Sequence, residues 1–103
     1  MQDSCHRPAP NKGIIAVPFG WPLRERQPAG RANKVLWIAQ RNDGGPMVIE
    51  ATPEDGGPTV RRELADGPGP SIVDLPRAGC WHLTLRWSGL SDRIALRYLG
   101  PPD

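Results

Sequence analysis

The chain has 103 residues, 13 basic and 11 acidic, for a formal net charge of +2, a length that holds one domain with a modest core. So small a basic excess, interrupted even at its densest point by the glutamate of Leu23-Arg24-Glu25-Arg26, is not the footprint of a nucleic-acid binder. No apolar run nears the roughly 18 residues that span a membrane.

Twelve glycines and 13 prolines cluster between short apolar runs, where they act as turns between strands. Residues 1–12 are polar and proline-broken and read as an irregular arm; residues 13–103 read as one β-domain. Met1-Gln2-Asp3-Ser4 has no hydrophobic signal core, so the chain is either a mature fragment without its leader or never exported. Residues 13–17 are a short β-prone run stopped by Pro18, followed by a long connection over 19–33. Residues 34–41 are apolar through their middle, which predicts a strand covered on both faces. Asn42-Asp43-Gly44-Gly45 is the clearest hairpin signal, with residues 47–51 as the returning strand.

Residues 59–64 are a further strand after the turn Glu54-Asp55-Gly56-Gly57. A helix over 59–66 is rejected for its poor apolar period and leading proline. Gly67-Pro68-Gly69-Pro70 is a rigid break, and residues 71–75 are a strand stopped by Pro76. Residues 88–92 are read as a turn, and residues 93–98 alternate into the last strand.

Gly79-Cys80-Trp81-His82-Leu83-Thr84-Leu85-Arg86-Trp87 carries the strongest pattern. Trp81, Leu83, Leu85 and Trp87 fall on one side, and Cys80, His82, Thr84 and Arg86 on the other. A period of two marks a strand with one face in a core and one in solvent. Seven short strands fenced by turns predict an all-β antiparallel sandwich or barrel.

Four segments resemble a set of bacterial exported, lipoprotein-type domains of unknown function with an immunoglobulin-like sandwich. They are Cys5-His6-Arg7-Pro8-Ala9-Pro10-Asn11, the aromatic loop Phe19-Gly20-Trp21-Pro22-Leu23, the strand Asn33-Lys34-Val35-Leu36-Trp37-Ile38, and the block from Pro70 through Gly79-Cys80-Trp81. The resemblance implies an immunoglobulin-like β-sandwich of about seven strands, export, and a bond from the N-terminal cysteine to the one before tryptophan. It implies no catalytic residue. Gln2-Asp3-Ser4-Cys5 lacks the small apolar residues of a lipid-attachment box, so lipidation at Cys5 is not expected.

Cys5 and Cys80, the only two cysteines, leave two readings open. One is a disulfide worth about 4 kcal/mol by chain entropy, which would clip the arm to the outer face of the sheet. The other is a weak metal site from Cys5, His6, Cys80 and His82. Ser71, Ser88 and Ser91, with His82 as base and Asp74 or Asp92 to orient it, show no triad spacing or nucleophile elbow. No calcium or phosphate loop is present, and no cofactor is expected.

The remaining candidates form a binding surface: Phe19 and Trp21 in the aromatic loop, and His82, Arg86, Arg93 and Arg97 on a basic outer face. That face reads either as a site for an anionic partner or as charge that keeps a sheet from associating. The expectation is a non-enzymatic, monomeric, exported interaction or structural module, whose partner is a protein or cell-envelope component. The alternative is a protease-inhibitor-like domain presenting residues 19–23 or 67–70.

Overall fold

In a computed structural model, described for residues 5–19 and 22–100, the chain folds as seven strands and no helix among those residues. The strands are β1 (Ile14–Pro18), β2 (Lys34–Ala39), β3 (Met47–Pro53), β4 (Val60–Leu64), β5 (Pro70–Ile72), β6 (Gly79–Trp87) and β7 (Leu90–Tyr98). They form two antiparallel sheets, β1-β2-β5 and β4-β3-β6-β7. The all-β sandwich is thus as expected. Its fourth strand pairs with the third, whereas the constant-type immunoglobulin arrangement places its fourth strand on the other sheet.

Alternation along β6 organises the core. Trp81, Leu83, Leu85 and Trp87 are all buried, and they meet inward residues of β3 (Met47, Ile49, Ala51) and β7 (Ile94, Leu96, Tyr98). Ile14, Val35 and Trp37 of the smaller sheet, with Val73 and Leu75 beyond β5, close the same core. Each buried tryptophan still places its indole N–H. Trp37 donates to Ser71 Oγ at 3.0 Å, Trp81 to the Arg77 carbonyl at 3.0 Å, and Trp87 to the Arg41 carbonyl at 2.7 Å. Large apolar rings therefore also fix the approach of β5 and of two loops.

Three local expectations are corrected. Residues 42–45 do not close a hairpin: β2 and β3 lie in different sheets, so this segment is a corner between them. Its turn chemistry is as read, with Asn42 Oδ1 accepting from Gly44 N–H and Asp43 Oδ1 from Gly45 N–H. Such chemistry bends a chain without deciding whether the flanking strands share a ladder. Next, β2 is covered on one face only, since Ile38 is 48% exposed while Trp37 is buried. Finally, the turn after β6 is just Ser88 and Gly89, both at positive φ (48° and 74°). That two-residue geometry suits the twist of a hairpin, and it lets β7 begin at Leu90 opposite Trp87.

All four sheet edges are blunted. Phe19 N–H donates to the Lys34 carbonyl and Gln40 N–H to that of Gly13, so odd residues of β1 bond β2 and even ones face outward. Pro18 thus removes a donor from the open row. The bonds Trp37 N–H to Gly69 and Val73 N–H to Asn33 place Pro70 likewise on the outer edge of β5. Arg62 of β4 is half-buried and caps the Asp74 carbonyl at 3.1 Å, an inward charge on an edge strand. The β7 edge is occupied by Arg7 of the arm and by Leu23 and Glu25, which bond Ala95 and Leu99 through backbone.

Tyr98 ties the last strand to the other sheet: its buried hydroxyl donates to the Val73 carbonyl at 2.7 Å. Burial, with the nearby Asp74 carboxylate, pushes this phenol well above its ordinary value of 10.0, so it stays a neutral donor. Tyr98→Phe leaves a buried carbonyl unpaired and should lower unfolding free energy by about 1–3 kcal/mol with native circular dichroism. Denaturant titration checks this, and an unchanged midpoint contradicts it.

Candidate functional site

The arm is built into the outer side of the larger sheet by separate fastenings. Cys5 and Cys80 form a disulfide with Cα atoms 5.6 Å apart, and both pack with Ala95 in a small cluster outside the main core. Arg7 and Ala95 exchange backbone hydrogen bonds of 3.3 and 3.2 Å. Asp92, only 3% exposed, accepts from the backbone N–H groups of Asn11 at 3.4 Å and Gly13 at 3.3 Å. The sulfur bridge, the strand edge and a buried carboxylate thus hold residues 5–13 along β7. Sequence reading placed the disulfide; it missed the anchoring role of Asp92, which the pattern shows only as an acidic residue beside a turn.

The outer face of β6 and β7 brings His82, Arg86, Arg93 and Arg97 together as expected. Thr84 stands opposite Arg93, and Cys80 opposite Arg97. Carboxylates of the neighbouring segments interleave with them. Glu50 of β3 pairs with Arg86, Glu54 meets His82 Nε2 at 3.1 Å, and Arg61 of β4 lies 3.6 Å from Glu63. The face is therefore laced with both signs of charge. Of those four basic residues, Arg93 is the one whose guanidinium has no ion-pair or hydrogen-bond partner among the described residues.

The metal alternative is not assembled as the sequence suggested. Glu54, Cys80 and His82 have donor atoms within 4.8 Å of one another, and His6 does not belong to that group. Cys80 spends its sulfur in the disulfide, which leaves one carboxylate and one imidazole. The triad candidates are committed elsewhere. Ser71 receives the Trp37 indole, Ser88 Oγ donates to Asp43 at 2.8 Å, and Asp74 accepts from the buried Asn33 at 3.0 Å. None of them is hydrogen-bonded to His82.

The outer face of the smaller sheet has a different character. Ile15, Val17, Phe19, Ile38 and Ile72 are each between 39% and 56% exposed. Cross-strand register joins them: Ile15 lies opposite Ile38, Val17 opposite Leu36, Leu36 opposite Pro70, and Lys34 opposite Ile72. Lys34 Nζ stands 5.5 Å from the centre of the Phe19 ring. The face therefore holds eight positions, apolar except Lys34, and no carboxylate. Phe19 was singled out from the sequence, whereas Ile15, Val17, Ile38 and Ile72 were not, because doubly apolar strands read as doubly covered ones. Trp21 lies outside the described residues. Of the other loop offered for recognition, Gly67 and Pro68 are buried against the 42–46 corner, where Asn42 Nδ2 donates to the Pro68 carbonyl at 3.2 Å.

Two exposed aspartates carry a pH signature. Arg77 makes a fork to Asp55, with bonds of 3.1 and 2.7 Å, which holds the Asp55 carboxyl below its ordinary value of 3.8. Gly45 N–H and the Ser88 hydroxyl lower Asp43 in the same way. A carboxyl depressed by folding adds stability that is present above its unfolded value and lost as pH falls through the folded one. Melting temperature should therefore drop as pH falls below 3.8, and the drop should shrink in Asp55→Asn. Thermal melts across an acid series check this, and an identical acid slope in the variant contradicts it.

Comparison with protein families, curated proteins and solved structures finds no match to this chain.

Proposed function

We propose that this chain is a non-enzymatic, exported interaction module that docks a protein partner through the outer face of the β1-β2-β5 sheet. The observation that carries the reading is the continuous apolar face of Ile15, Val17, Phe19, Leu36, Ile38 and Ile72. A soluble sheet usually turns polar residues outward, and contiguous apolar patches of this kind mark interaction sites. The disulfide supports an oxidising compartment, and no helix among the described residues is long and apolar enough to cross a membrane.

Charge selects the occupant. Lys34 sits among the apolar positions of the patch, none of which is a carboxylate, and Asp74 and Glu25 stand only at its border, in a recess shared with Ile72. A second copy docked with its two-fold axis at Lys34 would set that charge against its own mate, and an unpaired buried charge is costly. The fitting partner is a different protein, with an apolar surface and an acidic side chain placed to meet Lys34. Such a pair would fix register as well as add attraction.

The test compares capture from extracts of the cells that make the protein, using the wild-type chain, Ile38→Glu, Lys34→Glu and the control Leu90→Glu. One partner should be retained by the wild type and control, lost with Ile38→Glu and weakened about tenfold or more with Lys34→Glu. Equal loss in the control, capture indifferent to Lys34, or a stable homodimer in sedimentation overturns the reading.

A further inference from the structure

We infer that the cleft between the N-terminal arm and the outer face of β6 and β7 is a binding site for a small organic carboxylate with an apolar body. The cleft has a volume of about 370 Å³, within the range of small-molecule sites. Its walls are chemically unlike. Pro8 and Pro10 of the arm, with Ala95, form an apolar side, while Arg93, His82 and Thr84 present polar groups from the sheet. Arg7 also lines it, and no carboxylate does among the described residues.

Two features point to an acid rather than a cation or a neutral ligand. Arg93 is exposed and has no partner for its guanidinium among the described residues. Thr84 lies directly opposite it across the ladder and lines the same cleft, so a hydroxyl and a guanidinium are offered from neighbouring positions of one face. Arginine recognises carboxylates through paired N–H donors. His82 borders the same space, and its Nε2 is held at 3.1 Å by Glu54, which is not a lining residue. The imidazole is thereby oriented by a neighbour outside the cleft.

Preorganisation comes from the arm. The proline wall is suspended between the Cys5–Cys80 bond and Arg7–Ala95 pairing on one side and the Asp92 bonds to Asn11 and Gly13 on the other. Two prolines with fixed φ add stiffness between those fastenings. A wall that is already ordered costs little entropy when a ligand enters. The apolar side is what a bare inorganic anion would leave unused, and this selects an acid with a ring or short hydrocarbon body.

Benzoate, acetate, sulfate and benzyl alcohol serve as probes, titrated into the oxidised full chain and followed by amide chemical shifts. Benzoate should bind more tightly than acetate or sulfate and should shift the amides of Thr84, Arg93 and Ala95. Benzyl alcohol, which lacks the charge, should not bind. Arg93→Gln should weaken benzoate about tenfold or more, whereas Arg86→Gln, whose side chain pairs with Glu50 away from the cleft, should leave it unchanged. The inference is overturned if benzoate does not bind, if sulfate binds as well, if benzyl alcohol matches benzoate, or if the two arginine variants lose affinity alike. This outcome is independent of the apolar face on the other sheet.

Discussion

Everything in this molecule hangs on the two-residue period of β6. Its inward residues Trp81, Leu83, Leu85 and Trp87 are buried to within 2% of complete, and each such side chain contributes roughly 1.5–3 kcal/mol on burial. Those terms together rival the whole net stability of a domain, about 5–15 kcal/mol. The register is therefore strongly held, because a slip of one residue would carry all four rings and leucines into water. The same register sends Cys80, His82 and Thr84 outward, which puts the disulfide on the outside of the sheet and the polar side of the cleft beneath the arm. Core and site are the two faces of one strand.

A second constraint comes from the edges. A two-sheet sandwich has four of them, and each exposes unpaired backbone groups that invite association. Here Pro18 and Pro70 remove donors from the open rows of β1 and β5, Arg62 points a charge inward from β4, and the arm covers β7. Recognition by strand addition is thereby disfavoured at all four edges. What remains for contact are the two sheet faces, and they differ. One is a lattice of paired charges interrupted by a cleft, and the other is apolar around a single lysine.

Legibility in the sequence followed the strength of local pattern. The seven strands could be read because turn residues fence each run and β6 and β7 alternate cleanly. The disulfide was one of the two readings that Cys5 and Cys80 left open, and the one the resemblance implied. Sheet membership could not be read, since Asn42-Asp43-Gly44-Gly45 has the same turn chemistry at a corner between sheets as in a hairpin. The apolar outer face stayed hidden for a related reason. Ile14-Ile15-Ala16-Val17 and Val35-Leu36-Trp37-Ile38 are apolar on both faces, and one-dimensional pattern cannot say which face lacks a cover. Asp92 and Asn33 were invisible as anchors because their value lies in partners up to 81 positions away. The carboxylates that offset the basic face sit on β3 and in the loop after it, so strand pairing had to be known before they could be set against His82 and Arg86.

The central claim is that the disulfide holds the arm against β7 while β6 holds the core without it. Amide hydrogen exchange on the oxidised and the reduced chain tests this directly. Reduction should raise exchange at Arg7 and Ala95, whose N–H groups bond across the arm and strand, and leave Leu83 and Leu85 in the middle of β6 protected. Unchanged protection at Ala95 would show that the arm does not depend on the bond. Loss of protection throughout β6 would show that the core does, and either result contradicts the account.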